Sequence, residues 1–516
     1  MSSDKICPEC NQENTHYRYW CKPCNSKHCQ NDFNNWTSGN DKIDKFIQDA
    51  QLNANHYLYA IEWIPYDRFK DVKQIGKGGF GTIHYARWID GYIREWDIEN
   101  QQWKRYNKGK EVALKKFDNF VNFNDVLNEM EIHLKTFTGI NTTTSIRFYG
   151  ITQDPETHSY MMVLNYAADG NLREYLKINF NNINWKQKLY NLQELSGRLA
   201  NIHKLDIVHQ DFHPGNILSS NFTSFMIISD FGLSKLKGAN PNNPEKKNIV
   251  GVLPYIAPEV LSGDEEYTKA ADVYSFGIIA YEIITGFPPY PDIPHDEDLA
   301  IKICNGLRPK IPFHTPKLIT RTIMRCWDAR VTHRPTSEEL KNVLWKYWIN
   351  YEDYLEYGRN KDSEIVIQIK KAEEFSVNQE STNTTTTTTT STTPLNYQTH
   401  PQAIYTSQLL NYSKLPKPKN EENFDRELEE LTKFFSHINT TEEFSVNQES
   451  TNTTTTTTTS TTPLNYQTHP QAIYTSQLLN YSKLPKPKNE ENFDRELEEL
   501  TKFFSHINTN DDIDEF

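Results

Sequence analysis

Two short segments carry side chains suited to phosphate chemistry: His209-Gln210-Asp211-Phe212-His213-Pro214-Gly215-Asn216 and, beginning fourteen positions after Asn216, Asp230-Phe231-Gly232. Together they supply a carboxylate, an amide and a second carboxylate. Phosphoryl transfer to a hydroxyl needs one group that orients the hydroxyl and accepts its proton, and others that hold Mg²⁺ against a triphosphate. The pattern predicts a site for that chemistry.

A glycine-rich segment lies upstream, Ile75-Gly76-Lys77-Gly78-Gly79-Phe80-Gly81-Thr82-Ile83. Its glycines allow the backbone to approach phosphates closely, because no Cβ intrudes. A G-x-G-x-x-G pattern alone is weak evidence, since dinucleotide-binding folds share it. Those folds open a helix after the last glycine, whereas residues 82–85 favour a strand. We therefore expect a strand-turn-strand that covers the phosphates.

The apolar strand Val112-Ala113-Leu114-Lys115 ends in an ammonium group. That charge can meet the α- and β-phosphates if a carboxylate on a neighbouring helix holds it. Residues 123–135 have the pattern of that helix. Glu129 is the first candidate for the partner of Lys115 and Glu131 the second, because residues two apart on a helix cannot both face the same group.

A second apolar run, Tyr160-Met161-Met162-Val163-Leu164, predicts a buried strand and leads into Asn165-Tyr166-Ala167. Taken in order with the segments above, this run resembles a eukaryotic protein kinase over residues 66–347. The sequences of residues 160–167 and 251–259 are most similar to those of the tyrosine-kinase-like group, whose members mostly phosphorylate Ser and Thr. Together with the N-terminal cysteine segment, they also resemble the expanded kinase set of arbuscular mycorrhizal fungi.

The resemblance implies an α+β, bilobal protein-kinase fold with ATP and Mg²⁺ as cofactors and proteins as substrates. It makes Asp211 the catalytic base, Asn216 and Asp230 the Mg²⁺ ligands, Lys115 the phosphate anchor and Leu164 the gatekeeper beside the adenine. The implied nucleotide-binding residues are Ile75, Gly76, Gly78, Gly81, Ile83, Ala113, Lys115, Glu129, Leu164, Asn165 and Ala167.

Two structural roles carry over from the same resemblance. Glu259, which ends Ala257-Pro258-Glu259, should form a buried ion pair with Arg334. Asp272 should brace the backbone of the catalytic loop. These roles concern the scaffold around the site and not the reaction.

Substrate preference is less sharply marked. His213 stands where Ser/Thr kinases usually place a lysine, and Val252 stands where they usually place a threonine. On overall resemblance Ser/Thr specificity is the expectation, with Tyr or dual specificity left open.

The segment that regulates many kinases departs from the family pattern. Gln210 replaces the arginine that meets a phosphorylated residue in the activation segment, and an uncharged amide cannot pair a phosphate in that way. Between Asp230 and Glu259 the hydroxyl side chains are Ser234 and Tyr255, both near the ends. We therefore expect activity without activation-loop phosphorylation.

A different class of function stays open: a catalytically silent scaffold that recruits partners. The complete set of Lys115, Glu129, Asp211, Asn216 and Asp230 favours the enzyme, because a scaffold has no need to keep it.

The N-terminal cysteines form two C-x₂-C pairs, Cys7/Cys10 and Cys21/Cys24, separated by ten residues. Two such pairs can close a tetrahedral thiolate site, so the pattern favours structural Zn²⁺ over free or redox-active thiols. His28 and Cys29 lie just beyond as alternative ligands. An adaptor, an autoregulatory cap and a dimer contact are the open roles of the module, with proteins as its expected partners.

Composition and order divide the chain into a cysteine module (1–36), a helical linker (37–65), the kinase-like region (66–347) and a polar tail (348–516). Thr37 or Ser38 should cap the linker helix and Pro65 should stop it.

The chain has 516 residues, a formal net charge of −13 and a mean hydropathy of −0.74. The charge argues against nucleic-acid and anionic-membrane partners. No apolar run approaches the ~20 residues of a membrane span, and the N-terminus lacks the apolar segment of a signal peptide. Cytosol is the expected compartment, with nuclear access left open.

The tail contains an unchanged duplication, residues 373–440 recurring as 442–509. Each copy holds a threonine run and a segment whose apolar residues share one helical face. In the first copy that face comprises Phe424, Leu428, Leu431, Phe435 and Ile438. The first expectation is a disordered tail, because threonine runs cannot bury a core. The alternative is a pair of short helices that dock on a protein partner or on each other.

Overall fold

The structure is a computed structural model that describes residues 6–12, 20–78, 81–117, 123–137, 144–236, 248–382, 399–410, 412, 415–438 and 479–480. Before the kinase-like region it contains two helices, α1 (Lys22–Asp32) and α2 (Asp41–Asn53). None of the described helices has the length and apolarity that crossing a membrane requires.

The smaller lobe is built on a twisted sheet. Its elements are β1 (Glu62–Trp63), β2 (Phe69–Gly78), β3 (Gly81–Trp88), β4 (Tyr92–Asp97), β5 (Gln102–Tyr106), β6 (Lys110–Phe117), α3 (Phe123–Thr136), β7 (Phe148–Gln153) and β8 (Tyr160–Asn165). Among the described residues, six strands pair in the order β1-β7-β8-β6-β3-β2, and β4 and β5 form a separate hairpin. The glycine-rich segment therefore joins two antiparallel strands, β2 and β3, as predicted.

The larger lobe is mainly helical. Its helices are α4 (Leu172–Asn179), α5 (Trp185–Lys204), α6 (Pro258–Leu261), α7 (Lys269–Thr285), α8 (Glu297–Cys304), α9 (Lys317–Cys326), α10 (Ser337–Tyr357) and α11 (Glu364–Thr382). Short strands β9 (Ile207–Val208), β10 (Ile217–Leu218), β11 (Ile227–Ile228), β12 (Lys235–Leu236) and β13 (Asn248–Gly251) carry the loops of the site. Helix α7 is apolar on all sides because it runs through the middle of this lobe, with most of its side chains buried.

The linker is part of the smaller lobe. Ile43 and Ile47 of α2 are fully buried in the same core cluster as Phe148 and Met162 of the sheet. The helix begins after Asn40, whose side chain caps the first turn, and not after Thr37 or Ser38. It ends at Asn53, well before Pro65, because the chain must turn back to add β1 to the sheet edge.

The expectation of a disordered tail is wrong for the described part of the first copy. The predicted boundary at 347 falls inside α10, and α11 follows it. Further on lie β14 (Gln408–Leu410), α12 (Phe424–Ile438) and the short β15 (Leu479–Asn480). Of the predicted apolar face, Phe424, Leu428 and Leu431 are buried in the core cluster of the larger lobe. The partner of this docking helix is the chain's own kinase-like region. Apart from β15, the second copy lies outside the described residues.

Candidate active site

Strand β6 places the predicted phosphate anchor on the cleft side of the sheet. Val112 and Leu114 are fully buried, so the alternating residues Ala113 and Lys115 share the opposite face. In the register of the sheet, Lys115 lies opposite Ile83 of β3, and Ala113 lies opposite Leu164 of β8. Residues far apart in sequence thus meet on one surface.

Lys115 bridges two carboxylates. Its ammonium forms an ion pair with Glu129 of α3 and another with Asp230, at 2.7 Å from Nζ to Oδ1. Burial by itself would lower the pKa of Lys115, but Asp230 and Glu129 outweigh it, so the pKa is raised and the amine stays charged. The choice of Glu129 over Glu131 is confirmed, because Glu131 is paired with Lys135 on the outer side of the helix.

The catalytic loop is fixed by Asp272 of α7, as predicted. Its carboxylate accepts the backbone N–H of His209 at 2.8 Å and that of Gln210 at 3.1 Å. Gln210 adopts a left-handed conformation with φ of 68°. Such a backbone is strained for a residue other than glycine, and the two hydrogen bonds to Asp272 hold it there.

Asp211 and Asn216 lie side by side on this loop. The Asn216 side chain donates through Nδ2 to the backbone oxygen of Asp211 at 2.9 Å and to its Oδ2 at 3.3 Å. Both side chains are buried. Within the described part of the chain, Oδ1 of Asp211 accepts no hydrogen bond. A buried carboxylate oxygen without a hydrogen-bond donor is expected where a bound molecule completes the site.

The residues predicted to hold Mg²⁺ fit that ion chemically. Nδ2 of Asn216 is used by Asp211, which leaves its amide oxygen to face a cation. Lys115 donates a hydrogen bond to Oδ1 of Asp230, which is one of the two oxygens of that carboxylate. Lys115 also lowers the pKa of Asp230 against the effect of burial, so this carboxylate is ionised. An amide oxygen and a carboxylate oxygen are the hard ligands that Mg²⁺ prefers.

The hinge residues lie at the end of β8 and in the turn after it. Leu164 is buried at the end of the strand, where the resemblance places the gatekeeper. The Asn165 side chain accepts from the hydroxyl of Tyr149 at 3.1 Å and donates to the backbone oxygen of Tyr166 at 3.1 Å, so it stabilises the turn itself. Ala167 lies in that turn, which Gly170 closes by donating to its carbonyl at 3.1 Å. The remaining predicted positions, Ile75, Gly76, Gly78 and Gly81, lie on the β2–β3 hairpin.

One residue of the site was not foreseen. Ser407, just before β14, donates its hydroxyl to Oδ2 of Asp211 and lies 3.2 Å from Nε2 of His213. Nothing in the local sequence marks this serine, because the tail is rich in Ser and Thr throughout. Its position follows only from the path of the tail over the larger lobe.

Both hydroxyl side chains of the activation segment are buried and engaged. Ser234 donates to the backbone oxygen of His209 at 3.0 Å. Tyr255 donates to Glu282 at 2.5 Å and accepts from Arg173 at 2.7 Å. Burial raises the pKa of Tyr255 well above its usual value, despite the nearby guanidinium. Neither oxygen faces solvent.

The four N-terminal cysteines converge. Their sulfur atoms all lie within 4.8 Å of one another, with 3.8 Å between Cys7 and Cys24 and 3.6 Å between Cys10 and Cys21. A disulfide needs about 2.0 Å, whereas four thiolates at about 2.3 Å from Zn²⁺ lie about 3.8 Å apart. His28 is not part of this converging set: its ring stacks on Trp96 of β4 at 4.0 Å, and its Nε2 hydrogen-bonds to Glu9, between Cys7 and Cys10, at 2.8 Å.

Residues 69–344, more than half of the chain, match the protein tyrosine and serine/threonine kinase family. The chain belongs to this family, whose fold the two lobes and the cleft described above reproduce.

Relatives are found among kinases of both specificities. The chain is 29% identical over 307 residues to a putative serine/threonine-protein kinase/receptor of Acanthamoeba polyphaga mimivirus, covering 59% of this chain and 17% of the relative. It is 28% identical over 273 residues to a tyrosine-protein kinase of Girardia tigrina, covering 51% of this chain and 50% of the relative. A protein kinase and PP2C-like domain-containing protein of Arabidopsis thaliana is 30% identical over 271 residues, covering 46% and 40%. The chain thus matches half or less of the length of these relatives.

Proposed function

We propose that this chain is an ATP- and Mg²⁺-dependent protein kinase that phosphorylates Ser or Thr hydroxyls, and that it is of the tyrosine-kinase-like group resembling the mycorrhizal fungal set. The observation that carries the proposal is the bridge from Lys115 to both Glu129 and Asp230. In a kinase the ion pair between this lysine and the helix glutamate must be in place for reaction, together with the metal-binding aspartate.

The roles of the remaining residues follow from their positions. Lys115, kept charged by its two carboxylate partners, would contact the α- and β-phosphates. Mg²⁺, held by Asn216 and Asp230, would neutralise the charge of the triphosphate. Asp211 orients the acceptor hydroxyl and receives its proton, while Asn216 fixes the rotamer of that carboxylate through its own amide hydrogens.

Preference for Ser/Thr is supported by the relatives named serine/threonine kinases and by a serine lying at Asp211. One relative is named a tyrosine-protein kinase, so phosphotyrosine in the product is the alternative outcome of the test.

The direct experiment measures phosphate transfer from ATP to a general protein acceptor by the wild type and by Asp211→Asn. Asparagine matches aspartate in size but cannot take up the proton, so we expect transfer to fall by about 10²-fold or more. Phosphoamino-acid analysis of the product should give phosphoserine or phosphothreonine. A folded wild-type protein that transfers no phosphate would favour the scaffold instead.

We also propose that activity does not depend on phosphorylation of the activation segment. Support comes from the uncharged Gln210 and from the buried, hydrogen-bonded hydroxyls of Ser234 and Tyr255. Ser234→Ala should keep its transfer rate within about fivefold, because the change removes one neutral hydrogen bond of about 1 kcal/mol. Activity that rises in step with phosphate on Ser234 or Tyr255, followed by mass spectrometry, would contradict the proposal.

We propose structural Zn²⁺ at Cys7, Cys10, Cys21 and Cys24. The sulfur separations support a tetrahedral thiolate site. Zn²⁺ binding displaces the protons of the four thiols, because the thiolate is the form that coordinates the metal. The module packs on the kinase lobe through the stacked pair Trp20 and Trp103, which suits a structural role. Further protein partners of this module would bind its outer side.

A further inference from the structure

The described tail adds a strand to the activation segment. β14 pairs antiparallel with β13, with Ile249 opposite Leu410, Val250 opposite Leu409 and Gly251 opposite Gln408. An extended peptide that joins a sheet edge gains affinity from main-chain hydrogen bonds and specificity from its side-chain pockets. The register also decides which residue before the strand reaches the catalytic loop, because a slip by one residue reverses every side chain.

Contacts before the strand hold this register. His295 donates its backbone N–H to the carbonyl of Gln402 at 2.9 Å, and Arg173 donates through Nη1 to the carbonyl of Tyr405 at 2.9 Å. Ile404 between them is 1% exposed. On the other side of Ser407, Leu410 is 3% exposed in the core of the larger lobe. These contacts lie on both sides of Ser407 and within a few residues of it, so they hold Ser407 in this register.

The hydrogen bonds around Ser407 orient its hydroxyl for reaction. Nδ1 of His213 accepts the backbone N–H of Gly215 at 3.1 Å, so the hydrogen of the neutral ring is on Nε2. Nε2 can then donate to the Ser407 oxygen at 3.2 Å, and the serine in turn donates its own proton to Asp211. A nucleophile whose proton points at the base is arranged for attack.

We propose that Ser407 is an intramolecular phosphoacceptor of this kinase. Oγ of Ser407 attacks the γ-phosphorus of Mg·ATP, and a bond forms between that oxygen and phosphorus. The bond from the γ-phosphorus to the β,γ-bridging oxygen breaks, and ADP leaves with its electron pair. The hydroxyl proton passes to Asp211. The inference rests on the kinase activity proposed above and names its first substrate.

The chemistry of the bound segment favours a substrate over a mere blocking strand. A blocking segment has no need of a hydroxyl at the base. The neighbouring hydroxyl residue, Thr406, is exposed, whereas Ser407 is half-buried in the site. The proposal therefore names Ser407 and not the adjacent Thr406 as the acceptor, and a variant of each residue can test this choice.

The duplication supplies a second candidate acceptor. Residues 474–479 repeat the sequence of 405–410, so Ser476 corresponds to Ser407. β15, at the end of that repeat, pairs with the opposite edge of the activation strand β13. Ser476 itself lies outside the described residues, so the test must control for it.

The experiment incubates the purified full chain with Mg²⁺ and labelled ATP, adds a general protein acceptor in parallel, and maps phosphate by mass spectrometry. We expect phosphate on Ser407 in the wild type and in the control Thr406→Val. In Ser407→Ala/Ser476→Ala the rate of self-phosphorylation should fall about tenfold or more, because the pre-positioned acceptor Ser407 is lost together with its counterpart in the repeat. The rate per chain should not change with enzyme concentration. An Asp211→Asn chain mixed with wild type should gain no phosphate on Ser407.

The outcomes separate the two proposals. Phosphate on the added protein but none on Ser407 overturns this inference and leaves the proposed function standing. Phosphate on Ser407 of the Asp211→Asn chain, or a rate that rises with concentration, shows transfer between molecules and overturns the intramolecular step. If neither acceptor gains phosphate, the kinase proposal and this inference fail together.

Discussion

The guanidinium of Arg334 forms a bidentate ion pair with the carboxylate of Glu259, with both nitrogen–oxygen distances at 2.7 Å. The two side chains are 0% and 3% exposed. Arg334 also donates to the backbone oxygens of Asp328 and Ala270, at 2.8 Å and 3.0 Å. The pair ties the end of the activation segment to the last part of the larger lobe, as the sequence predicted.

The first prediction concerns this pair. Glu259→Gln keeps the side-chain shape but leaves the Arg334 charge buried without an anion, which should cost about 3–5 kcal/mol of the free energy of unfolding. Chemical denaturation followed by fluorescence measures the cost. Glu338→Gln, in an exposed pair with Lys341, serves as the control and should cost about 0–1 kcal/mol. Equal costs for the two variants would contradict a buried, structural pair.

The second prediction concerns the docked tail helix. Leu428 is 5% exposed in the core of the larger lobe, so Leu428→Ala should weaken docking of α12 by about 2 kcal/mol or more. Hydrogen exchange of residues 424–431 should become faster, with little change elsewhere. Glu427→Ala, on the exposed side of the same helix, should leave exchange unchanged. An identical exchange profile for both variants would show that the helix does not depend on this contact.

The third prediction concerns zinc. The purified chain should contain one Zn²⁺, and Cys24→Ser should lose it because a tetrahedral site needs all four thiolates. Cys29→Ala should retain it, since Cys29 is a buried residue outside the converging set. Native mass spectrometry counts the ion. Loss of zinc should also lower the melting temperature, because metal binding contributes folding free energy in small modules. Retention of zinc by Cys24→Ser would point to other ligands.

The fourth prediction concerns acid stability. Burial, with Arg147 and Arg94 nearby, lowers the pKa of His56 from 6.5 to about 4 in the folded protein. Below pH 6.5 the unfolded chain therefore binds a proton that the folded chain refuses, and stability falls as the pH drops toward 4.

His56→Asn tests this prediction. Asparagine can still accept the backbone N–H of Leu58, which Nδ1 of His56 accepts at 3.3 Å, but it does not titrate. The fall in melting temperature between pH 7.5 and pH 5 should be smaller in the variant than in the wild type. His158→Asn, at an exposed turn, is the control and should follow the wild type. Equal slopes for wild type and His56→Asn would exclude this residue as a source of acid sensitivity.

Local chemistry explains which expectations were reliable. The acid, amide and acid of the catalytic segments, the lysine of β6 and the pairing of Glu259 with Arg334 depend on side-chain type and on a fixed order along the chain. Such features are readable because only certain side chains can orient a hydroxyl, hold a cation or share a buried charge. The geometry of one helix also showed that Glu129 and Glu131 cannot both face Lys115.

The incorrect expectations about the end of the linker helix and about the tail depended on non-local contacts. The linker helix ends early because β1 joins the sheet edge, and no local signal encodes that pairing. The first tail copy looked disordered by composition, since its apolar residues are too few to form a core of their own. They are buried nevertheless, because the larger lobe supplies the rest of the core.

The sequence by itself therefore determined the kinase family, the residues suited to phosphate transfer, the paired cysteines and the uncharged Gln210 in the catalytic loop. The tertiary structure decided which of many tail hydroxyls reaches Asp211. That position depends on strand pairing with β13, on the carbonyl held by Arg173 and on the burial of Leu410. These contacts join segments more than a hundred residues apart, so no local pattern in the tail could have singled out Ser407.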